Sequence, residues 1–519
     1  MPLQLTLPDY DPTLAKSVET NPKKLKEWLI ALPTGNVQEA GRLLSDSLHA
    51  LNRVKLDADD RARLLNEYQT TLELLSGSFE LCYAASGLPL KDEARAAAML
   101  VRTLWLELAI GWKRALQDRS EKRFVLNNAK VLPGFVLAVL HCYWRLYQVS
   151  CRLYMTLPPG VWLDAHQLFL LGAEGRFLDE PKENGAERCI GGMYKRLLVL
   201  ALADPLRFAG PEVEKVLELA ESYAHLAHFQ PMSKLSNAPG FFLVELEADK
   251  PAQYIGSKHL EFSDGKLVLL DTQELGQKLK RVEKGIEEKA PTANDRSKVL
   301  AWLELVRRVA RQWTITPQRL YQRIPAEASV DIAAGLRAAT FTLHQGQPII
   351  PVLDDGSIPE ATQPHPADLE LSTWAVINES PGGYAVRLQS STNEILRAGE
   401  IVALRSGADA GWLTCSVRWL QQHEDGAIEM GLQVLSARAV PLLLRPSIGA
   451  EHLPFLPALL LPEIPALKQP ARIAASKGVY TPLRELVLVN SSGEKRVRGS
   501  KLCEQQMGYD LFEFQASTE

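Results

Sequence analysis

The sequence predicts a multidomain α+β protein: an N-terminal all-α helical bundle or short solenoid, a small α+β connector, then a C-terminal β-barrel followed by a further β module. Three observations predict it. From about Asn21 to Gln230 apolar residues recur at helical spacing almost throughout. Between Met232 and Glu288 two short strand-like runs flank a change of character and lead into a charged helix. Further on, Leu413, Cys415, Val417 and Trp419 alternate with Trp412, Thr414, Ser416 and Arg418, the two-residue period of a sheet with one apolar face.

The 519 residues suffice for roughly three or four domains. The expected divisions are a helical domain at 1–230, the connector at 231–293, a linker helix plus barrel at 294–440, and the C-terminal β module at 441–519. With 46% apolar and 23% charged residues the chain reads as an ordinary soluble globular protein. Its 58 Lys and Arg against 62 Asp and Glu leave a net charge of −4, which gives no global attraction for nucleic acid or an anionic membrane. Six scattered cysteines, without C-x-x-C or paired histidine spacing, read as small buried apolar residues of a reducing compartment, with no metal site. The N-terminus lacks a basic start and an apolar signal core, and Val131 to Tyr154 is interrupted by Arg145 and Arg152. A cytoplasmic protein without a membrane span is the expectation.

Taken in order, Asn36 is a candidate N-cap for a helix carrying Ala40, Leu43, Leu44, Leu48 and Leu51, and Asp57 for the next. A third helix runs from about Lys91 to Gln117, and a fourth from near Glu121 to Met155 with a kink or break expected at Pro133. Shorter helices follow at about 161–177, 186–203 and 211–229. Short loops favour antiparallel neighbours, and Trp105, Trp112, Trp144, Tyr147 and Trp162 read as core, with a partner-binding groove as the other reading. His225 and His228, three apart on an expected helix, read as ordinary helix histidines rather than a metal pair. In the connector, strands are expected at Gly240–Leu246 and Gly265–Asp271 and a helix at Thr272–Glu287. Asn294 or Asp295 then caps a helix reaching about Gln312, whose last turns carry Arg307, Arg308 and Arg311 where the helix dipole favours cations.

That helix runs into Arg319-Leu-Tyr-Gln-Arg323, flanked by Pro317 and Pro325. Two guanidinium forks in an extended segment suit bidentate phosphate contact and stacking on a flat base, which lysine does less well. Further along, Asn378-Glu-Ser380-Pro-Gly-Gly383 joins an apolar run to an alternating one and reads as a tight strand connection. Asn378 and Ser380 bring short hydrogen-bonding side chains, and Pro381, Gly382 and Gly383 set the turn and let another surface approach closely.

Arg319, Arg323, Asn378, Ser380 and Gly383 resemble the RxxxR and (D/N)xSxxG signatures of PilZ domains, small β-barrels that bind the bacterial second messenger cyclic di-GMP. The resemblance covers roughly Thr314 to Leu435 and takes in Val417-Arg418-Trp419 and Gly431 to Val434 as closing strands. It implies that the two arginines grip guanine and phosphate and that the Asn/Ser loop completes the pocket. The segment between Arg323 and Asn378 is longer than the family pattern, and Gln347 to His365 within it looks like an inserted, proline-broken loop. Beyond Leu435, strand-like runs at Arg484–Asn490 and Tyr509–Gln515 mark a second β module, separate or extending the barrel, with Asn490-Ser-Ser-Gly as its clearest turn.

No phosphate loop, nucleophile elbow, H-E-x-x-H or G-x-G-x-x-G motif is present in the sequence. The expectation is therefore a non-enzymatic, cytoplasmic receptor for cyclic di-GMP, with no other cofactor, that passes binding to a protein partner through its helical domain. A scaffold whose barrel has lost the nucleotide is the alternative, favoured by the long segment after Arg323. An enzyme of unrecognised type is a third.

Overall fold

A computed structural model describes residues 3–84, 87–121, 128–180, 188–231, 239–255, 267–290, 295–315, 321–363, 369–390, 392, 394–447, 452–490 and 493–517. Capping chemistry opens the first helices. Asn21, Asn36 and Asp57 accept hydrogen bonds from the amides of Lys23, Glu39 and Asp59, starting α1 (Pro22–Ile30), α2 (Val37–Asn52) and α3 (Ala58–Tyr83). Next come α4 (Asp92–Ser120) and α5 (Asn128–Arg152), and α4 packs on α2, α3 and α5. Pro133 lies within α5 without ending it, because the missing amide falls near the start of the helix and leaves the turns beyond intact. The region is completed by α6 (Val161–Glu174), α7 (Ile190–Leu202) and α8 (Pro211–Tyr223). Trp105, Trp112, Trp144, Tyr147 and Trp162 are all buried among these helices. Lys113 on α4 pairs with Asp164 on α6 at 2.7 Å in the same interior, where Tyr143 also donates to Asp164 and the amide of Thr6 is held at 2.9 Å. Among the described residues no helix is long and apolar enough to cross a membrane.

The last helix ends at Tyr223, earlier than periodicity suggests. His225 lies on a short 3-10 turn and His228 begins a strand with its ring nitrogen 2.8 Å from Glu274, so the two histidines share no helix face. That strand, β1 (His228–Pro231), joins β2 (Phe241–Glu245), β3 (Gln253–Tyr254) and β4 (Leu267–Asp271) in a four-stranded antiparallel sheet of order β1-β4-β2-β3. The helices α9 (Gln273–Lys289) and α10 (Arg296–Thr314) follow, α10 capped by Asp295. Trp313 on α10 is fully buried and donates its Nε1 hydrogen to the Val199 carbonyl of α7 at 2.8 Å, tying this helix to the helical region.

The first barrel is antiparallel. Its strands are β6 (Ser329–Ala334), β7 (Ser372–Ser380), β8 (Gly383–Leu388), β9 (Ile401–Arg405), β10 (Leu413–Gln422) and β11 (Ile428–Ser436). They run in the order β7-β6-β9-β10-β11-β8 and close through β7–β8 pairing, while the two-residue β5 (Ile324–Pro325) adds to the far end of β7. Val330, Trp374, Val386, Cys415, Val417 and Met430 fill the interior.

The simple alternation expected for β10 fails at both ends of its logic. A bulge between Val417 and Trp419 turns the Trp419 side chain off the inward face and puts Leu420 there instead. Thr414 and Ser416, expected on a wet face, are buried, because the outside of the first barrel meets a second one and Tyr509 donates to the Ser416 hydroxyl at 2.9 Å.

This second barrel is closed in its own right and does not extend the first. Its strands β12 (Val440–Pro446), β13 (Leu456–Leu461), β14 (Arg472–Ala475), β15 (Glu485–Asn490), β16 (Gly493–Gln505) and β17 (Asp510–Ala516) are ordered β12-β13-β14-β17-β16-β15. Between β6 and β7 come α11 (Leu336–Leu343), which packs on β6 and β9 of the first barrel and on β12 and β13 of the second, and the long proline-broken stretch, which lies on the second barrel. Ile349 is buried with Leu443, Phe455, Val487 and Val489 on its outer wall, and Phe455 exchanges backbone hydrogen bonds with Glu360 and Thr362 at 2.8 Å. The insertion is thus a strap from one barrel across the next. Of the cysteines, Cys142, Cys151, Cys189 and Cys415 are buried as expected, whereas Cys82 and Cys503 are exposed, since each sits on the outward side of its helix or strand.

Candidate functional site

The β7–β8 hairpin builds one wall of the site. Ser380 and Gly383 form its last pair, and the Ser380 hydroxyl donates to the Gly383 carbonyl at 3.3 Å. Gly383 also faces Gln433 on β11, and a β-carbon there would lie 1.9 Å from the Leu432 carbonyl oxygen, so no larger residue fits this pairing. At Gly382 a β-carbon would meet the Tyr321 ring at 2.9 Å. The close approach expected of these glycines is therefore made by β11 on one side and by the arginine segment on the other.

Arg323, directly before β5, is exposed and has no carboxylate partner among the described residues. It shares a hollow of about 220 Å³ with Tyr321, Ser380, Gly383, Trp419 and Gln433. Three of the residues singled out in the sequence, Arg323, Ser380 and Gly383, are thus brought together. Asn378 lies on β7 opposite Pro325 and does not line the hollow. Arg319 lies outside the described residues.

Sequence reasoning passed over four contributors. Tyr321 was hidden inside the arginine stretch, and Arg418 and Trp419 were read only as strand. Arg207 comes from a 3-10 turn, Pro205–Arg207, in the helical region, and nothing local marks it. That turn packs against β10.

Arg207, Arg418 and Gln433 also line a second hollow of about 320 Å³, walled by Arg308 and Arg311 of α10 and by Glu504 and Gln506 of the second barrel. Its charges are mostly paired. Arg418 donates through Nε to Gln433 at 2.6 Å and through both terminal nitrogens to Glu504. Burial works to raise the Glu504 carboxyl, but the Arg418 contacts overcome it and hold the group below the usual range. Arg308 bonds Gln506 at 2.9 Å and Glu212 of α8, and lies over the Phe208 ring at 5.1 Å. Burial pushes the Glu304 carboxyl up, against the pull of Arg311, Arg307 and Arg308. Through Arg308 the end of α10 is joined to both the helical region and the second barrel. Among the described residues no three His, Cys, Asp or Glu side chains cluster to hold a metal ion.

Among its described residues the hollow offers the Arg323 guanidinium, the Ser380 hydroxyl and aromatic side chains at Tyr321, Tyr384 and Trp419: donors for phosphate beside planes for a base. Three family models match consecutive parts of the chain. They are described as the cyclic-di-GMP receptor FimW N-terminal domain (residues 23–234), its middle PilZ domain (241–368 and 355–441), and the FimW C-terminal beta-barrel domain (444–517). A curated relative, the cyclic-di-GMP receptor FimW of Pseudomonas aeruginosa, is 25% identical over 543 aligned residues that cover 92% of this chain and 87% of the relative.

Proposed function

Since the chain belongs to the family of the cyclic-di-GMP receptor FimW, we propose that it is itself a receptor for cyclic di-GMP and binds the nucleotide on the Arg323–Ser380 face of its first barrel. The observation that carries this reading is Arg323, an exposed cation with no carboxylate partner among the described residues, set in one hollow with Ser380, Gly383 and the aromatic residues Tyr321, Tyr384 and Trp419. Arg323 contacts a phosphate or stacks on a guanine, Ser380 hydrogen-bonds the ligand, and Gly383 keeps the hairpin tight against β11. Arg319 is the second arginine of the pair and Asn378 steadies the hairpin beside Pro325.

The protein works in the cytoplasm without catalysing a reaction, and its helical domain engages a protein partner. A groove of about 810 Å³ in that domain, lined by Trp112, Trp144, His141 and Arg145, is the surface that fits this role best. Within the long segment after Arg323, which would favour an adaptor that has lost its ligand, Ile349, Leu353 and Ala361 pack on the second barrel, and none of the described residues from 345 to 363 lines the hollow.

Calorimetric titration of the parent protein with cyclic di-GMP, alongside Arg319→Ala and Arg323→Ala, tests the proposal. Charge-assisted hydrogen bonds of roughly 1.5–3 kcal/mol predict losses of about tenfold to a hundredfold in each variant. No binding by folded parent protein would overturn it.

A further inference from the structure

We propose that Arg207 of the helical region is a ligand-binding residue, so that the nucleotide is held jointly by the helical region and the first barrel rather than by the barrel alone. The inference rests on the receptor reading above and adds to it a contact from outside the PilZ domain.

Size is the first argument. The hollow beside Arg323 measures about 220 Å³, below the roughly 300–1,000 Å³ of pockets that enclose a small organic ligand. The neighbouring hollow adds about 320 Å³, and the two meet at Arg207, Arg418 and Gln433. A dinucleotide seated on Arg323 extends past that junction.

Charge is the second. Of the cations at the junction, Arg418 is committed through three nitrogens to Gln433 and Glu504. Among the described residues Arg207 engages through its Nε alone, with Asp204 three residues back. Neither terminal nitrogen of its fork meets an acceptor there, and the side chain is 41% exposed. Position is the third. The turn carrying Arg207 packs on β10, and the next residue, Phe208, lies under Arg308 of α10, itself bonded to the second barrel through Gln506. A ligand touching Arg207 and Arg323 together therefore bridges the helical region and the barrel at the point where α10 and the second barrel also meet. Binding then favours the arrangement seen here over any in which the two have separated, by as much as the Arg207 contact contributes.

The experiment is calorimetric titration of the full chain with cyclic di-GMP for the parent, Arg207→Ala, Asp204→Asn and Arg323→Ala. Arg207→Ala is expected to weaken binding about tenfold to a hundredfold, as for one lost charge-assisted contact. Asp204→Asn, which keeps the turn but removes the charge partner, is expected to stay within about threefold of the parent. If Arg207→Ala binds like the parent while Arg323→Ala does not, the joint site is wrong and the receptor reading stands. Equal losses in Arg207→Ala and Asp204→Asn would make Arg207 a brace for the turn and overturn the inference. Absence of binding in the parent overturns both readings together.

Discussion

Trp419 on β10 lies against the α-carbon of Gly431 on β11, so close that a β-carbon at Gly431 would fall 1.9 Å from the indole nitrogen. The glycine is what lets the ring lie flat on the strand beside the Arg323 hollow. Gly431→Ala is expected to displace the indole, change tryptophan emission, and weaken cyclic di-GMP binding. Base stacking on an aromatic ring is worth roughly 1–3 kcal/mol, so Trp419→Ala should cost about fivefold to a hundredfold in affinity. Parental affinity in both variants would remove Trp419 from the site.

Arg323→Lys separates charge from shape. The ammonium keeps the charge but not the planar fork, and stacking on a base is lost. Affinity is expected to fall at least about tenfold and to drop further as salt is raised, since the remaining attraction is screened over a Debye length of about 10 Å at 0.1 M. A lysine variant that binds as tightly as the parent would mean that charge alone is read.

Burial pushes the Glu400 carboxyl up to about 7, with Arg397 at 3.5 Å pulling it back. An unfolded glutamate ionises near about 4.3. Between those values the native protein keeps a proton that the unfolded chain has released, so stability falls as pH rises through the window and levels off above it. Glu400→Gln is expected to match the parent near the lower limit and to exceed it at about pH 8, by up to ~2–3 kcal/mol. Urea denaturation of both proteins at the two ends of the window measures this, and a parent whose stability climbs with pH there contradicts it.

The strap gives a prediction that runs the other way from the binding variants. Ile349→Ser places a hydroxyl among Leu443, Phe455 and Val489 and removes a buried apolar side chain. A loss of about 2–4 kcal/mol in stability is expected, with cyclic di-GMP affinity unchanged because the strap does not line the hollow. Calorimetric binding below the unfolding transition separates the two effects.

Ligand spanning the Arg207–Arg323 junction should also slow amide hydrogen exchange between Arg311 and Pro325, the stretch that connects α10 to β5. Exchange there that saturating ligand leaves untouched would argue that the nucleotide does not brace this connection.

Local chemistry was legible in the chain. Asn36, Asp57 and Asp295 announce their helices through capping side chains, and Arg323, Ser380 and Gly383 line one hollow while Asn378 does not. What could not be read depends on partners distant in sequence. Nothing near Arg207 tells that it will face β10, and nothing near Thr414 tells that a second barrel will cover it. The bulge that exchanges Trp419 for Leu420 adds one residue to a period of two, and either register of Val417-Arg418-Trp419-Leu420 satisfies the pattern. The end of α8 was missed because His225 and His228 continue a helical spacing that backbone pairing of His228 with Asp271 overrides.

The strap sets a timetable for the nascent chain. Ile349 and Leu353 leave the ribosome well before Leu443, Phe455 and Val489, the residues they will lie against. At about 5–20 residues per second the wait is on the order of 10 s. During it the helical region is already made, β7 to β11 of the first barrel are still emerging, and the apolar ribbon has no place to dock; β17, which closes the second barrel between β14 and β16, follows the other strands of that barrel.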